Sequence, residues 1–215
     1  MTTHTAMSHS SGSFWNEDFA TPRPTQDTEL IGQFSFVPGL KEILMLRQVH
    51  ALEHATVWVL DEMSEARSDA IALESHHPDN GTLGGLSTER GFYLYGEVNP
   101  LDLSRAVRLA LDRCKNGEWD LAVHPRCGTN LSVSMLLTAG IAFGSLMLLP
   151  KGPVEQVIGL GVSAAIATQL TPDVGSFAQR YLTTAIPFNL EVNNISKTQD
   201  FWGRSAYFVR LEWRE

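Results

Sequence analysis

The spacing of apolar and polar residues changes character several times along this chain, and each change marks a different element. From about Leu40 to Met63 the residues are good helix formers, and neither Pro nor Gly interrupts them after Gly39, which predicts one long helix. Gly91-Phe-Tyr-Leu-Tyr-Gly-Glu-Val98 is aromatic and bounded by glycine, the composition of a strand. Asn99-Pro100 then opens a helix that runs through Lys115. Leu103, Val107, Ala110 and Leu111 lie on its apolar stripe, with Arg105, Arg108 and Arg113 off it. Asn116-Gly117 is its stop signal. Glu118–Val123 reads as a short strand.

A different pattern follows. From Leu131 to Pro150 there is no charged residue, and as a helix that run is about 30 Å long, the hydrocarbon thickness of a bilayer. After Lys151-Gly152-Pro153, a second uncharged run covers Gln156–Pro172; it is short for a span and rich in small residues. Gly140 and Gly144, four apart, permit close approach of two membrane helices. The two runs predict an apolar helical hairpin in the membrane, the alternative being a hairpin buried in a soluble core. At the C-terminus Tyr207, Val209, Leu211 and Trp213 alternate with Phe208, Arg210 and Glu212, a period of two with one apolar face. This strand pairs with Asn189–Asp200 or with Phe92–Val98. The fold class expected is therefore α+β: a long helix, a small antiparallel sheet and an apolar helical hairpin. The expected divisions are a tail at 1–28, an α+β region at 29–130, the hairpin at 131–172 and a region at 173–215 that completes the sheet.

Composition narrows the function classes. Residues 1–28 carry too little apolar surface to fold alone, so His4 and His9 are expected in a solvated tail, which has no apolar signal-peptide core. A net charge of −8, with no stripe of Lys and Arg, argues against a nucleic-acid partner and leaves membrane lipid, and other membrane proteins, as the expected partners. Two cysteines, Cys114 and Cys127, do not make a disulfide framework, which points to a reducing compartment for the soluble part. Two passes through a bilayer put both flanking parts on one face. Arg126 and Arg180 favour the cytoplasmic face, with Lys151 counting against it.

The chemistry is concentrated in two runs. In His-Ala-Leu-Glu-His at 50–54, His50 and His54 lie one helical turn apart on one face with Glu53 beside them, a spacing that holds one zinc at roughly 2 Å. His-x-x-Glu-His is also the inverted zincin spelling, with the glutamate as general base. Apolar neighbours (Val49, Ala51, Leu52, Ala55, Val57) place these groups in a buried helix, where ionisable side chains need partners or a metal. His-Pro-Arg-Cys at 124–127 adds His124 and Cys127, with Gly128 allowing a tight turn. His50, His54, His124 and Cys127 together suit tetrahedral zinc. Four ligands make a closed structural site; three leave a position for water, on which Glu53 acts as base. The competing reading is a metal-free polar network joining the histidines to Glu53, Thr129 and Asn130. Those last two residues serve either as hydrogen-bonding groups around the site or, for Asn130 above all, as the cap of the following helix. Adjacent His76 and His77 beside Pro-Asp-Asn-Gly are expected in an exposed turn spanning Ser75–Gly85.

These runs, with Leu-Ala-Val-His-Pro-Arg-Cys-Gly-Thr-Asn-Leu at 121–131 and Gly84-Gly-Leu-Ser-Thr-Glu-Arg-Gly-Phe-Tyr-Leu-Tyr-Gly96, resemble an uncharacterised domain family of cyanobacteria and plastids. They are also similar to a bacterial membrane family with His-Gly-Ala-Glu-His and His-Pro-Arg-Cys-Gly-Thr. The resemblance covers about residues 40–150. It implies membrane association, in a plasma or thylakoid membrane, and a shared use of His50, Glu53, His54, His124 and Cys127, but not proteolysis. Two functions follow as expectations: a membrane-anchored zinc-dependent hydrolase of peptidase type with Glu53 as base, or a non-catalytic scaffold or assembly factor with a structural His/Cys site. Zinc peptidases take their third ligand, typically Glu, from a further helix, and the loop residues His124 and Cys127 depart from that pattern.

Overall fold

The structure, a computed structural model, describes residues 21–71, 83–148 and 152–214. A short first helix, α1 (Gln26–Gln33), starts inside the stretch expected as tail. It is held there by its own polar groups, because Asp27 is buried against Gln48 and Thr28 accepts from Asn189. The long helix, α2, spans Leu40–Ile71, longer than its predicted end at Met63. Of the Ser75–Gly85 turn, residues 75–82 lie outside the described residues, as do His76 and His77. Gly84 and Gly85 belong instead to a strand, β1 (Gly84–Thr88), which pairs antiparallel with β2 (Gly91–Tyr95).

The tight link between them requires glycine at position 91. Its φ is 140°, and a Cβ there would stand 1.9 Å from the Val209 carbonyl oxygen on the neighbouring strand. Helix α3 (Pro100–Lys115) forms where predicted: the Asn99 side chain accepts from Leu101 N–H at 2.9 Å, Pro100 occupies the first turn, and Gly117 at φ 107° follows the end.

Glu118–Val123 is not a strand. Trp119–Ala122 forms a 3-10 turn with local bonds from Leu121 and Val123 back to Glu118 and Asp120. Its outward carbonyls are taken by α2: His54 Nδ1 meets Ala122 O at 2.8 Å and Trp58 Nε1 donates to Val123 O at 3.0 Å. A six-residue apolar alternation is too short to outweigh two such side-chain clamps.

The apolar runs form α4 (Gly128–Leu148) and α5 (Pro153–Ala178), the second continuing as a π-helical turn over Gln179–Thr183. Both are long and apolar enough to cross a membrane, the second far longer than Gln156–Pro172 because the helix passes through Pro172. No residue of α4 is buried, and Leu136, Phe143, Met147, Val157 and Leu160 face outward, unlike the helices of a soluble core. The two helices pack, but not through the expected glycines: a Cβ at Gly140 or Gly144 meets open space. The buried seam lies on α5, where Gly159, Ser163 and Ala167 recur every fourth residue.

The chain then returns to the sheet as β3 (Leu190–Gln199) and β4 (Ser205–Trp213). Strand β4 pairs with both candidates expected for it, giving the order β1-β2-β4-β3, antiparallel throughout. One face of this sheet packs on α2 and α3, so that Leu52, Val59, Phe92, Leu94, Leu103, Val107 and Val209 form the core. The α+β architecture, with its small antiparallel sheet and apolar hairpin, is thus the one the sequence predicts.

Candidate metal centre

One stripe of α2 (Leu46, His50, Glu53, with the core residue Val57 at its end) borders the foot of the hairpin. It lines a cleft of about 660 Å³ together with β1, the 124–129 loop and the π-turn. Helical spacing puts His50 and His54 in contact, their ring centroids 4.3 Å apart. Each ring is fixed from behind. Nδ1 of His50 meets the Thr183 carbonyl at 3.0 Å, and Nδ1 of His54 meets that of Ala122 at 2.8 Å. A carbonyl only accepts, so each Nδ1 carries the proton and each Nε2 keeps its lone pair for a metal.

Cys127 completes the group. One ligand atom from each of His50, His54 and Cys127 lies within 4.8 Å of the others, and Sγ is 3.3 Å from His50 Nε2. Cys127 immediately precedes α4, and its sulfur accepts from Thr129 N–H at 3.4 Å, the position of a helix cap. Burial pushes this thiol up, but hydrogen bonding and charge from His54, with the Thr129 contacts, outweigh it and leave the thiol below its ordinary value. Two imidazole nitrogens and a thiol whose pKa is lowered make a donor set that fits zinc. Cys114 is elsewhere, in the core, where burial raises its thiol to about 12.

Of the expected four, His124 is not in the group. It is buried, its ring 4.9 Å from Trp58 and 5.7 Å from His54, and its Nδ1 accepts the Arg126 N–H at 3.2 Å. That bond leaves the proton of the neutral ring on Nε2. Glu53 lines the cleft next to the cluster. Burial raises its carboxyl above the usual range, against the downward pull of the Ser87 hydroxyl, which donates to Oε2, and of His50. A Cβ at Gly85 would lie 2.0 Å from Glu53 Oε1, so this strand passes close only because residue 85 is glycine.

Thr129 and Asn130 tie the loop to α5 and its extension. Thr129 Oγ1 lies 3.2 Å from Thr183 Oγ1. Asn130 does not cap α4, since the helix already begins at Gly128. Its amide donates to Pro125 O at 2.7 Å and accepts from Gln179 Nε2 at 2.9 Å. Gln179, fully buried, also accepts the His124 N–H at 2.8 Å and so organises the loop. Sequence reasoning missed Gln179, Ser87, Gly85 and the Thr183 carbonyl. A glutamine closing an apolar run was the one available signal, because Thr183 acts through its main chain.

Fold and site together define an α+β protein with an apolar helical hairpin and a His/Cys cluster able to hold a metal ion. The chain belongs to the DUF6391 family, a domain of unknown function, whose model matches residues 45–195 and so extends well past the 40–150 resemblance into β3. It is 51% identical over 202 residues to an uncharacterized protein of the cyanobacterium Picosynechococcus sp. (strain PCC 7002), covering 94% of this chain and 96% of the relative. No solved structure matches it.

Proposed function

We propose that this chain is a membrane-anchored zinc protein and a hydrolase of peptidase type, with His50, His54 and Cys127 as ligands and Glu53 as general base. The observation that carries the reading is the convergence of three ligand atoms beside a carboxylate in a cleft open to substrate. Zinc, when bound, supplies Lewis acidity and acidifies water toward neutrality. The protein's own residues do the rest. Thr183 and Ala122 hold the imidazoles, Ser87 and Gly85 hold Glu53 where it takes up a proton, and the apolar stripe with Leu46 and Val57 receives the substrate. The hairpin anchors this site at the bilayer surface of a plasma or thylakoid membrane, with the sheet and helices α2 and α3 in the cytoplasm.

The test is a screen of peptide and ester substrates with zinc-loaded, full-length protein in detergent. Turnover that Glu53→Gln lowers by roughly 100-fold or more, with zinc retained, is the expected result. Turnover that Glu53→Gln leaves unchanged contradicts the assignment of the base. A second reading, a scaffold whose metal ties elements together, is favoured by the bonds that join α2 to the 3-10 turn and the π-turn through the same two histidines. Zinc that raises the melting temperature with no turnover on any substrate supports it instead.

A further inference from the structure

Arg47 lines a second cavity, of about 340 Å³, that the metal cluster does not use. This cavity lies between α1, α2, the 3-10 turn and the chain leaving the π-turn. Three guanidinium groups border it, Arg23, Arg47 and Arg180, in a protein whose net charge is −8. Among the described residues, Asp27 is the one carboxylate in the lining, and it is buried and bonded to Gln48 Nε2 at 2.5 Å. Asp120 pairs with Arg180 at 2.5 Å but is 92% exposed, so it sits at the surface and leaves the pair weak.

The decisive feature is Arg47. Its Nη2 donates to the carbonyls of Tyr181 and Thr184 at 3.1 and 2.9 Å, which fixes the plane of the guanidinium. A guanidinium held in one plane at the cavity wall is an ordered cation for the oxygens of a phosphate. Arg180 and Tyr181 stand in the first turn after α5, at the level where a spanning helix meets lipid head groups.

We propose that this cavity is a binding site for a phosphate-class anion, presented as the head group of an anionic lipid or as free phosphate, with Arg47 as its floor and Arg23 and Arg180 as its rim. Arg47 also lines the cleft of the His/Cys cluster; the proposal rests on the reading of the hairpin as membrane-spanning and not on the chemistry of that cluster.

The test uses full-length protein in phosphatidylcholine nanodiscs, compared with discs containing phosphatidylglycerol and with phosphatidylcholine discs to which inorganic phosphate is added. Arg23→Gln/Arg180→Gln is the variant, since Arg47 also holds the π-turn and its loss would confound folding. The melting temperature of the wild type is expected to rise by several degrees with one of the two anions. The double variant, melting normally in phosphatidylcholine alone, is expected to bind that anion roughly tenfold more weakly. A rise confined to phosphatidylglycerol assigns a lipid head group, and a rise with inorganic phosphate assigns a soluble anion. No rise with either, or an equal rise in the double variant, overturns the proposal.

Discussion

His50 and His54 owe their ligand geometry to two main-chain carbonyls, and Glu53 owes its position to the absence of a side chain at residue 85. The first dependence makes each imidazole present Nε2 to Cys127; the second leaves the carboxylate room against β1. Gly85→Ala is therefore expected to swing Glu53 away from Ser87 without touching a ligand. Zinc content should stay at the wild-type level while any hydrolytic activity falls by roughly 100-fold, as a misplacement of about 1 Å can cause. Elemental analysis and turnover measured on the same sample check this; loss of zinc with the activity would contradict it. At this scale the sequence was readable for side chains that act through their own atoms. The i, i+4 histidines, Glu53 and Cys127 announce themselves. The Thr183 and Ala122 carbonyls do not, and nothing in the chain near His124 reveals that Arg126 N–H occupies its Nδ1.

Elements were legible where their ends are written in adjacent residues. Helix α3 is bounded by Asn99, Pro100 and Gly117, and its limits follow from the sequence. The segment at 119–122 is decided by Trp58 and His54, more than sixty positions away, and so its strand-like alternation misled. The hairpin repeats this lesson: small residues predict a seam, but helix facing chooses which ones form it. Gly175→Ala puts a Cβ 2.1 Å from Asn130 Oδ1, and is expected to break the Gln179–Asn130 bond and cost about 1–3 kcal/mol of stability. Gly140→Ala and Gly144→Ala, which meet open space, are expected to be neutral. Thermal denaturation of the three variants in one detergent separates them.

The link from β3 to β4 carries a pH dependence of its own. Burial alone would raise the Asp200 carboxyl. The Arg204 N–H, the Tyr95 hydroxyl, the Arg204 guanidinium and the Trp202 N–H outweigh it and hold the pKa at about 2. A carboxylate lowered on folding stabilises the fold above its unfolded value near 3.9, and that contribution is lost as pH falls toward 2. Asp200→Asn should thus be less stable than wild type at neutral pH, with the difference shrinking between pH 4 and pH 2; a constant difference in acid titrations followed by circular dichroism would contradict it.

For the whole molecule, the sheet is built from strands on both sides of the hairpin, so the apolar pair is inserted within one folding unit. The His/Cys cluster sits where that insertion begins and ends, joining α2, the 124–129 loop and the π-turn. If both helices cross the bilayer, full-length protein stays in the membrane pellet after alkaline carbonate washing, whereas release into the supernatant contradicts a spanning hairpin. The central claim, that His50, His54 and Cys127 hold a metal, is tested most directly by elemental analysis of the purified full-length protein beside His54→Ala and Cys127→Ser. The account predicts about one zinc per chain in the wild type and affinity weakened by roughly 10-fold or more in each variant, both still folded. A wild type that neither retains zinc on purification nor takes it up when offered would contradict it.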